Sequence, residues 1–375
     1  MRRVSRRRLL RLSGAAVAVG LAGCNRGSDR PAPRTATATA AATETETGMR
    51  TTERREATAT PTTETPTAEG AYTEAYRRTV DSVTLVSSTV GEGSGFVYDA
   101  RHVLTNAHVV ADDESVDLRF RRGEWSEGSV VGTDRYSDLA VIRVPAVPSY
   151  ATPIPLLDGQ ATVGREVIVI GNPYGLDGTA TAGIVSGVNR SIDAGTGYTI
   201  PDCVQTDAAV NPGNSGGPIV SLNGEVVAVV NAAGGDNLAF GVSAALARRV
   251  VPALLATGRY AHPYLGVSLA DMTPALASAN GIESPAGVYV AAVVAGGPAD
   301  GVLRGGGETA GAEGVRVSVG GDVIRAADGE AVLTVDDFGS YLALRKRPGD
   351  SLSLTILRDA TRRTVEVAVG SRAAP

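Results

Sequence analysis

The sequence predicts a mostly β protein whose larger domain is built from antiparallel strands closed into small barrels. From residue 78 onward, short runs of β-forming residues are separated by Gly, Asn and Pro. The number of these runs fits two barrels packed side by side. The 46 glycines and only 4 phenylalanines also favour a loop-rich β protein over a helical bundle. A chain of 375 residues leaves room for a second folded domain.

The charge of the chain argues against a nucleic-acid partner. Six arginines lie among the first eleven residues, and without them the formal net charge changes from −5 to −11. A nucleic-acid-binding protein needs a basic face to meet the phosphates, and an acidic remainder offers none. We expect no nucleic-acid partner, and we also expect neither a metal ion nor a cofactor.

Residues 1–23 predict an export signal, because a basic start is followed by an apolar stretch too short to span a bilayer comfortably. The segment SRRRLL resembles a twin-arginine signal, and LAGC resembles a lipobox in which Cys24 is lipidated and becomes the N-terminus. We therefore expect an exported protein, anchored to the outer face of the cytoplasmic membrane through Cys24. An arginine-rich tail with an accidental cysteine is the alternative.

Residues 24–69 consist mainly of Thr, Ala, Glu and Pro, with almost no bulky apolar side chain. Such a segment cannot bury enough surface to offset the entropy of ordering, so a disordered stalk is predicted. Beyond the stalk, Cys203 is the one remaining cysteine, which excludes a disulfide within the mature domains. Its apolar neighbours favour a small buried residue over a nucleophile.

Three segments carry side chains suited to acyl transfer. His108 ends an apolar strand, and an imidazole can take and return a proton near neutral pH. Asp138 directly precedes an apolar run, so it is either a strand-end cap or a partly buried charge. Ser215 stands in a glycine-rich turn, where glycines keep side chains away from an attacking hydroxyl. His108 and Asp138 alone have ordinary structural explanations, whereas the serine framed by glycines does not.

The turn around the serine also predicts an oxyanion hole. We assign it to Gly213, Asn214 and Ser215, with the N–H groups of Gly213 and Ser215 converging on one point. The motifs TNAHVV, SDLAVI and GNSGGP, in this order, resemble the triad segments of the trypsin-like superfamily. DAAVNPGNSGGPIV and GSGFVYD resemble its HtrA or DegP branch in particular. The resemblance implies a serine endopeptidase domain over residues 70–251, with two six-stranded antiparallel β-barrels and the site between them.

The chemistry of such a triad gives each residue a role. Ser215 attacks the peptide carbonyl, and His108 accepts its proton and returns it to the leaving amine. Asp138 fixes the tautomer of the imidazole and stabilises its cationic form. Asp134 lies nearby, but the apolar neighbours of Asp138 favour Asp138 for this role.

The resemblance also places the S1 pocket, which in this superfamily is lined by residues just before the serine and by the strand after it. In this chain those residues are Ala209, Val210, Asn211, Asn231, Ala232 and Ala233. Asp207 lies too far upstream to reach the pocket floor. A small, uncharged pocket predicts cleavage after Ala, Val, Ile or similar residues.

A linker at residues 252–262 leads to a second domain at residues 263–371 that resembles a PDZ domain of HtrA proteins, a β sheet with two short helices. We predict these helices at residues 299–303 and 335–344. An insertion at residues 305–317 leaves the shape of the binding groove open. A small β domain that only packs against the protease is the alternative.

The PDZ resemblance implies a binding site for peptide C-termini. The N–H groups of its loop would bind the terminal carboxylate while the peptide adds to the sheet as a strand. The loop residues are Tyr264, Leu265, Gly266 and Val267.

The predicted function is degradation of unfolded or damaged proteins outside the cytoplasmic membrane. HtrA proteins commonly assemble as homotrimers through the region around Tyr72 and Tyr76, although tyrosines packed on their own barrel explain this pair almost as well. Two alternatives stay open. One is a protease-like chaperone or peptide-binding scaffold, and the other is a dedicated processing enzyme for one partner.

Overall fold

The computed structural model describes residues 68–193, 198–235, 237–312 and 315–373, all within one unit, Thr63–Pro375. The predicted signal peptide, Cys24 and all but the last two residues of the predicted stalk lie outside these ranges. Within them, no helix has the length and apolar character needed to cross a membrane.

Six antiparallel strands form the first closed barrel: β1 (Val83–Ser88), β2 (Gly91–Val97), β3 (His102–Thr105), β4 (Ser115–Arg119), β5 (Trp125–Asp134) and β6 (Leu139–Arg143). They pair in the order β1-β2-β3-β6-β5-β4. Helix α1 (Ala68–Thr79) precedes this barrel, and the short helix α2 (Ala107–Val110) follows β3. Burial alternates along β4, where Val116 and Leu118 face the core, as a half-buried strand requires.

Six further strands form the second closed barrel: β7 (Glu166–Gly171), β8 (Thr179–Asp193), β9 (Thr199–Thr206), β10 (Pro218–Ser221), β11 (Val226–Gly235) and β12 (Leu238–Ser243). They pair in the order β10-β11-β12-β9-β8-β7. The two closed barrels confirm the predicted fold class of this domain.

Helix α3 (Ala244–Thr257) follows the second barrel and packs against both barrels. The Ser243 hydroxyl accepts a hydrogen bond from the Leu246 N–H at its start, and Gly258 ends it at φ +75°. Leu254 of this helix shares one buried cluster with Leu139 of the first barrel and Ile168 of the second. The barrels are therefore joined by a common core.

The last domain contains two short helices and a β sheet. Its elements are β13 (Pro263–Tyr264), β14 (Val267–Asp271), α4 (Pro274–Ala279), β15 (Val288–Val293), β16 (Glu308–Ala312), β17 (Val315–Val319), β18 (Val323–Ala327), β19 (Glu330–Ala331), α5 (Val335–Arg345), β20 (Ser351–Arg358), β21 (Thr361–Ala368) and β22 (Gly370–Ser371). The main sheet has the order β14-β15-β18-β20-β21, with β19 paired to β18, so β14 is an edge strand.

The prediction of one of the two helices in this domain is wrong. The prediction at residues 335–344 matches α5, but residues 299–303 form turns, in which Gly301 has φ +75° and cannot continue a right-handed helix. The other short helix is α4. It begins where the Thr273 hydroxyl accepts from the Leu276 N–H, and Pro274 lies in its first turn.

The predicted insertion contains an antiparallel ribbon made of β16 and β17. It does not interrupt the sheet, because β15 and β18 pair directly on either side of it. At its base the fully buried Asp322 carboxylate accepts from the Arg304 N–H at 2.8 Å and from Nε of Arg358 at 2.8 Å. The hydrogen bonds between Arg304 and Asp322 join the two ends of the insertion, and the ion pair of Asp322 with Arg358 holds them against β20.

Helix α5 contacts the second barrel. It packs on β8 and β9, and the Arg249 guanidinium donates to the carbonyls of Leu344 at 2.6 Å and Lys346 at 2.7 Å, at the C-terminal end of the helix. On the other side, His262 Nε2 lies 2.7 Å from Asp134 Oδ2, and both side chains are buried. The face of the domain between β14 and α5 therefore lies against the catalytic domain.

Candidate active site

His108 and Asp138 meet between the first barrel and its short helix. Nδ1 of His108 lies 2.6 Å from Oδ2 of Asp138, and the His108 N–H donates to Oδ1 at 2.9 Å. The pair assigns the proton to Nδ1 and leaves Nε2 as the acceptor. The Asp138 side chain is completely buried, while 39% of the His108 side chain is exposed to solvent. The buried carboxylate therefore orients the imidazole, and the imidazole stays accessible to solvent.

Asp138 is fixed by two asparagines. Its backbone carbonyl accepts from Nδ2 of Asn106 at 2.9 Å, and its Oδ2 also accepts from Nδ2 of Asn231. The residue has φ +51°, a left-handed conformation that Asp tolerates better than most residues. Asn231 was predicted as a wall of the S1 pocket, but the structure directs its side chain to the buried carboxylate. The carboxylate therefore keeps its hydrogen bonds satisfied in the core.

Ser215 lies on the turn that leads into β10. Its hydroxyl donates to the carbonyl of Asn231 at 3.2 Å. No hydrogen bond joins Ser215 to His108 in the part of the chain that the structure describes. Asn231 of β11 therefore contacts two residues of the predicted triad: its carbonyl accepts from Ser215, and its side-chain amide donates to Asp138.

The loop before Ser215 leaves two N–H groups without an acceptor. The carbonyl of Pro212 accepts from the Tyr174 N–H at 3.3 Å. Because a trans peptide points its C=O and N–H in opposite directions, the N–H of Gly213 faces away from Tyr174. Neither that N–H nor the N–H of Ser215 has an acceptor among the described residues. An oxyanion hole needs N–H donors that are not already bonded.

Asn214, the third residue predicted for the oxyanion hole, does not offer its N–H. That group donates to the carbonyl of Asn211 at 3.0 Å and closes a turn in which Gly213 has φ +98°. A Cβ on Gly213 would lie 2.8 Å from the carbonyl oxygen of Asn172. Only glycine satisfies both the conformation and the space at this position.

Ser94 forms hydrogen bonds with the backbone of the turn that contains Ser215. Its N–H donates to the carbonyl of Ser215 at 2.8 Å, and its hydroxyl donates to the carbonyl of Gly213 at 2.7 Å. The hydroxyl also accepts from the Asn172 N–H at 2.9 Å, and the Ser94 carbonyl accepts from the Thr105 hydroxyl at 2.7 Å. Ser94 belongs to the segment GSGFVYD, but the sequence alone predicts no role for this residue.

Replacing Ser94 with alanine is expected to lower the free energy of unfolding by about 1–3 kcal/mol, because the half-buried carbonyl of Gly213 and the buried N–H of Asn172 both lose their partner. Urea denaturation measures this change, with the half-buried Ser88→Ala as the matched control. The rate at which a fluorophosphonate labels Ser215 should fall as well. An unchanged denaturation midpoint would contradict the stabilising role of the Ser94 hydroxyl.

Comparisons with known proteins identify the family. Residues 93–229 match the family described as "Trypsin-like peptidase domain", and residues 263–369 match "PDZ domain". A solved structure described as "HtrA-type protease AlgW with tripeptide" is 30% identical, with a TM-score of 0.65, and the match covers 81% of this chain and 98% of that chain. The chain belongs to the HtrA-type serine protease family.

Two relatives show the extent of the family match. The chain is 35% identical over 285 residues to "Probable periplasmic serine endoprotease DegP-like" of Pseudomonas fulva (strain 12-X), covering 74% of this chain and 56% of the relative. It is 36% identical over 257 residues to "Putative serine protease HhoA" of Synechocystis sp. (strain ATCC 27184 / PCC 6803 / Kazusa), covering 64% and 61%. The chain thus spans a little more than half the length of these curated relatives.

The predicted S1 residues of this HtrA-type domain lie on the loop before Ser215 and on β11. Ala209 and Asn211 are exposed, and Val210 is half-buried against the core of the second barrel. The backbone of residues 232 and 233 belongs to β11, which pairs with β12. Asp207 Oδ1 accepts from the Ile184 N–H at 2.7 Å, so this carboxylate is engaged on β8.

Cys203 is fully buried, and burial raises the pKa of its thiol well above the usual range. A thiol that resists ionisation in the core is a poor nucleophile. Within the described ranges, no three His, Cys, Asp or Glu side chains come together as a possible metal site.

The predicted carboxylate loop connects β13 and β14: Tyr264, Leu265, Gly266 and Val267. Leu265 is buried, and Gly266 has φ +71°. The carbonyl of Leu265 accepts from the Ala299 N–H at 3.0 Å, and that of Gly266 accepts from the Val294 N–H at 2.8 Å. The N–H groups of Leu265 and Gly266 have no acceptor among the described residues. The loop therefore holds its carbonyls inward and leaves two donors unbonded.

Proposed function

We propose that this chain is a serine endopeptidase that hydrolyses peptide bonds in unfolded or damaged proteins outside the cytoplasmic membrane. The 2.6 Å contact between Nδ1 of His108 and the buried carboxylate of Asp138 carries this proposal. His262 also pairs with a buried carboxylate, that of Asp134, but its own side chain is buried, whereas 39% of the His108 side chain is exposed to solvent. A buried carboxylate partner and an exposed imidazole are thus combined at His108. A general base needs both.

In the proposed mechanism, Nε2 of His108 takes the proton of Ser215 as Oγ attacks the substrate carbonyl, and later returns it to the leaving amine. Asp138 stays ionised and stabilises the imidazolium cation. In the unliganded site the Ser215 hydroxyl donates to the carbonyl of Asn231 at 3.2 Å. Catalytic hydrogen bonds often tighten only when substrate binds, so this geometry is compatible with the mechanism.

The N–H groups of Gly213 and Ser215 form the proposed oxyanion hole. We leave Asn214 out, because its N–H is already bonded to the carbonyl of Asn211. Each donor in such a hole contributes about 10²–10³-fold to kcat.

The second domain is proposed to bind the C-termini of unfolded polypeptides. Its support is an edge strand, β14, beside a loop with two unbonded N–H groups. The related protease AlgW has been solved with a tripeptide and with a decapeptide.

We further propose that the protein is exported and anchored to the outer face of the cytoplasmic membrane by a lipid on Cys24. The names of the relatives from Pseudomonas fulva and Rhizobium meliloti describe them as probable periplasmic enzymes. Mass spectrometry of the membrane fraction tests the anchor, because lipidation adds acyl mass to the peptide that begins at Cys24. An unmodified or cytoplasmic protein would overturn it.

A homotrimer is the proposed assembly. The hydroxyls of Tyr72 and Tyr76 form hydrogen bonds within the same chain, 2.8 Å to Oε1 of Glu166 and 2.8 Å to the carbonyl of Gly178. Neither ring is fully buried. A partner subunit would cover the remaining surface. Light scattering of the purified protein should give three times the mass of one chain.

A protease-like chaperone is the second candidate. The observation that favours it is the Ser215 hydroxyl, which donates to Asn231 and not to His108. Incubation of the full-length protein with unfolded β-casein and a fluorophosphonate probe separates the two functions. Cleavage that stops when the probe modifies Ser215 supports the endopeptidase. Suppressed aggregation of casein, with neither cleavage nor labelling, supports the chaperone.

The S1 residues predict a preference for small aliphatic side chains. Ala209, Val210 and Asn211 carry no charge, and Asp207 is engaged by the Ile184 N–H at 2.7 Å. In a library of fluorogenic peptides we expect kcat/KM after Ala, Val or Ile to exceed that after Arg or Lys by about 10-fold or more, since a cation would be buried without a partner. Efficient cleavage after Arg or Lys would overturn the assignment.

A further inference from the structure

A cavity of about 340 Å³ lies between the second domain and the catalytic domain. On one side it is lined by the carboxylate loop, β14 and α5, and on the other by residues of the barrels. Its walls are mainly apolar and include Leu265, Val267, Phe338, Leu342, Tyr136 and Pro201. The groove proposed to bind peptide C-termini is thus closed over by the protease, and a bound peptide would contact both domains.

Arg372 directly follows β22 and lines this cavity. Strand β22 pairs with β13, and the Arg372 N–H donates to the carbonyl of His262 at 3.0 Å, next to the start of the carboxylate loop. Its guanidinium carbon lies 4.1 Å from the ring centre of Tyr136 and 5.4 Å from that of Tyr198. Stacking on aromatic rings orients the guanidinium plane and leaves its N–H edge open.

The guanidinium has no carboxylate partner among the described residues. One other basic side chain, that of His262, lines the cavity, and its Nε2 lies 2.7 Å from Oδ2 of Asp134. No Asp or Glu of the described residues lines the cavity. In a chain whose formal net charge is −5, this leaves one half-buried, unneutralised cation in an apolar groove.

We propose that Arg372 is a specificity-determining residue of the peptide groove, whose guanidinium binds the terminal α-carboxylate of a peptide together with the N–H groups of Leu265 and Gly266. The peptide extends from this end along the edge of β14, with its last apolar side chains in the cavity. Charge complementarity identifies the occupant, because a free carboxylate is the one negative group that every peptide C-terminus carries. This inference rests on the proposed binding of peptide C-termini.

The test compares a dye-labelled decapeptide ending in three valines, synthesised as the free acid and as the C-terminal amide. Fluorescence anisotropy gives the Kd of each for the full-length protein carrying Ser215→Ala, so that neither peptide is cleaved. Arg372→Gln and Arg372→Lys are introduced into this background. The matched control is Arg363→Gln, which removes the same charge from an exposed position on β21 that does not line the cavity.

We expect the free acid to bind more tightly than the amide, and Arg372→Gln to reduce this preference by about 10-fold or more, as the loss of a charge-assisted hydrogen bond predicts. The amide should bind Arg372→Gln and the parent alike, and Arg372→Lys should restore part of the preference. Arg363→Gln should leave both Kd values unchanged.

Two results would overturn the proposal in distinguishable ways. If Arg372→Gln weakens acid and amide equally, Arg372 only supports the packing of the two domains, and the binding of peptide C-termini stands. If the parent protein binds neither peptide, or binds both with equal affinity, the proposed role of the second domain fails together with that of Arg372.

Discussion

Replacing Ser215 with alanine is expected to lower kcat on unfolded β-casein by about 10⁶-fold, the scale found when a triad serine is removed. The cysteine among the described residues does not replace the serine, because Cys203 is buried and burial raises the pKa of its thiol. The free energy of unfolding should change by no more than about 1 kcal/mol, since the hydroxyl makes one hydrogen bond, at 3.2 Å. Casein proteolysis and urea denaturation measure the two quantities.

The control for this variant is Ser129→Ala, which removes an exposed hydroxyl on β5 and should keep full activity. Retention of more than about 1% of casein cleavage by Ser215→Ala would point to a different nucleophile. Aggregation assays add a second readout. If the inactive variant still suppresses aggregation of casein, binding of unfolded chains is separate from hydrolysis, and both proposed activities belong to one protein.

The barrels were predictable because their signals are local. Runs of β-forming residues separated by Gly, Asn and Pro predict the strands without knowledge of their partners, and in the structure burial alternates along β4 and β20. Pairings such as β3 with β6 join residues far apart in the sequence and do not follow from local pattern. The number of runs fits two barrels, and the resemblance to the trypsin-like superfamily adds that each has six strands and that the site lies between them.

The start of helix α4 carries a signal that can be recognised in the sequence. Thr273 followed by Pro274 is a cap followed by a favoured first helical residue. Residues 299–303, which the sequence predicts as a helix, contain Gly301, and its left-handed conformation is typical of a turn. Both features can be recognised from residue types alone.

The remaining site residues needed the tertiary structure. Asn231 is predicted as a wall of the S1 pocket, but its position on a strand does not determine which atom its side chain contacts, and in the structure that atom is Oδ2 of Asp138. Ser94 lies far from Ser215 along the chain, yet its N–H and hydroxyl bind the carbonyls of the active-site turn. Contacts of this kind arise from packing one barrel on the other, for which a single sequence gives no local signal.

Replacing Asp138 with asparagine is expected to lower kcat on casein by about 10⁴-fold. Oδ2 of Asp138 accepts from Nδ1 of His108 and Nδ2 of Asn231, and Oδ1 accepts from the His108 N–H. An amide offers one oxygen and one NH₂ group, so in either orientation a donor would face a donor. Relief of that conflict shifts the imidazole proton to Nε2, where it blocks acceptance of the Ser215 proton.

Asp134→Asn is the matched control, because Asp134 is also buried and lies close in sequence. Its Oδ2 accepts from the Ser137 N–H at 3.1 Å and faces Nε2 of His262 at 2.7 Å, but it does not contact His108. This variant should keep kcat within about 10-fold of the parent and lose about 1–3 kcal/mol of the free energy of unfolding, as a buried group loses part of its bonding. If Asp134→Asn were instead the variant that abolished cleavage, the acidic member of the triad would have been assigned to the wrong residue.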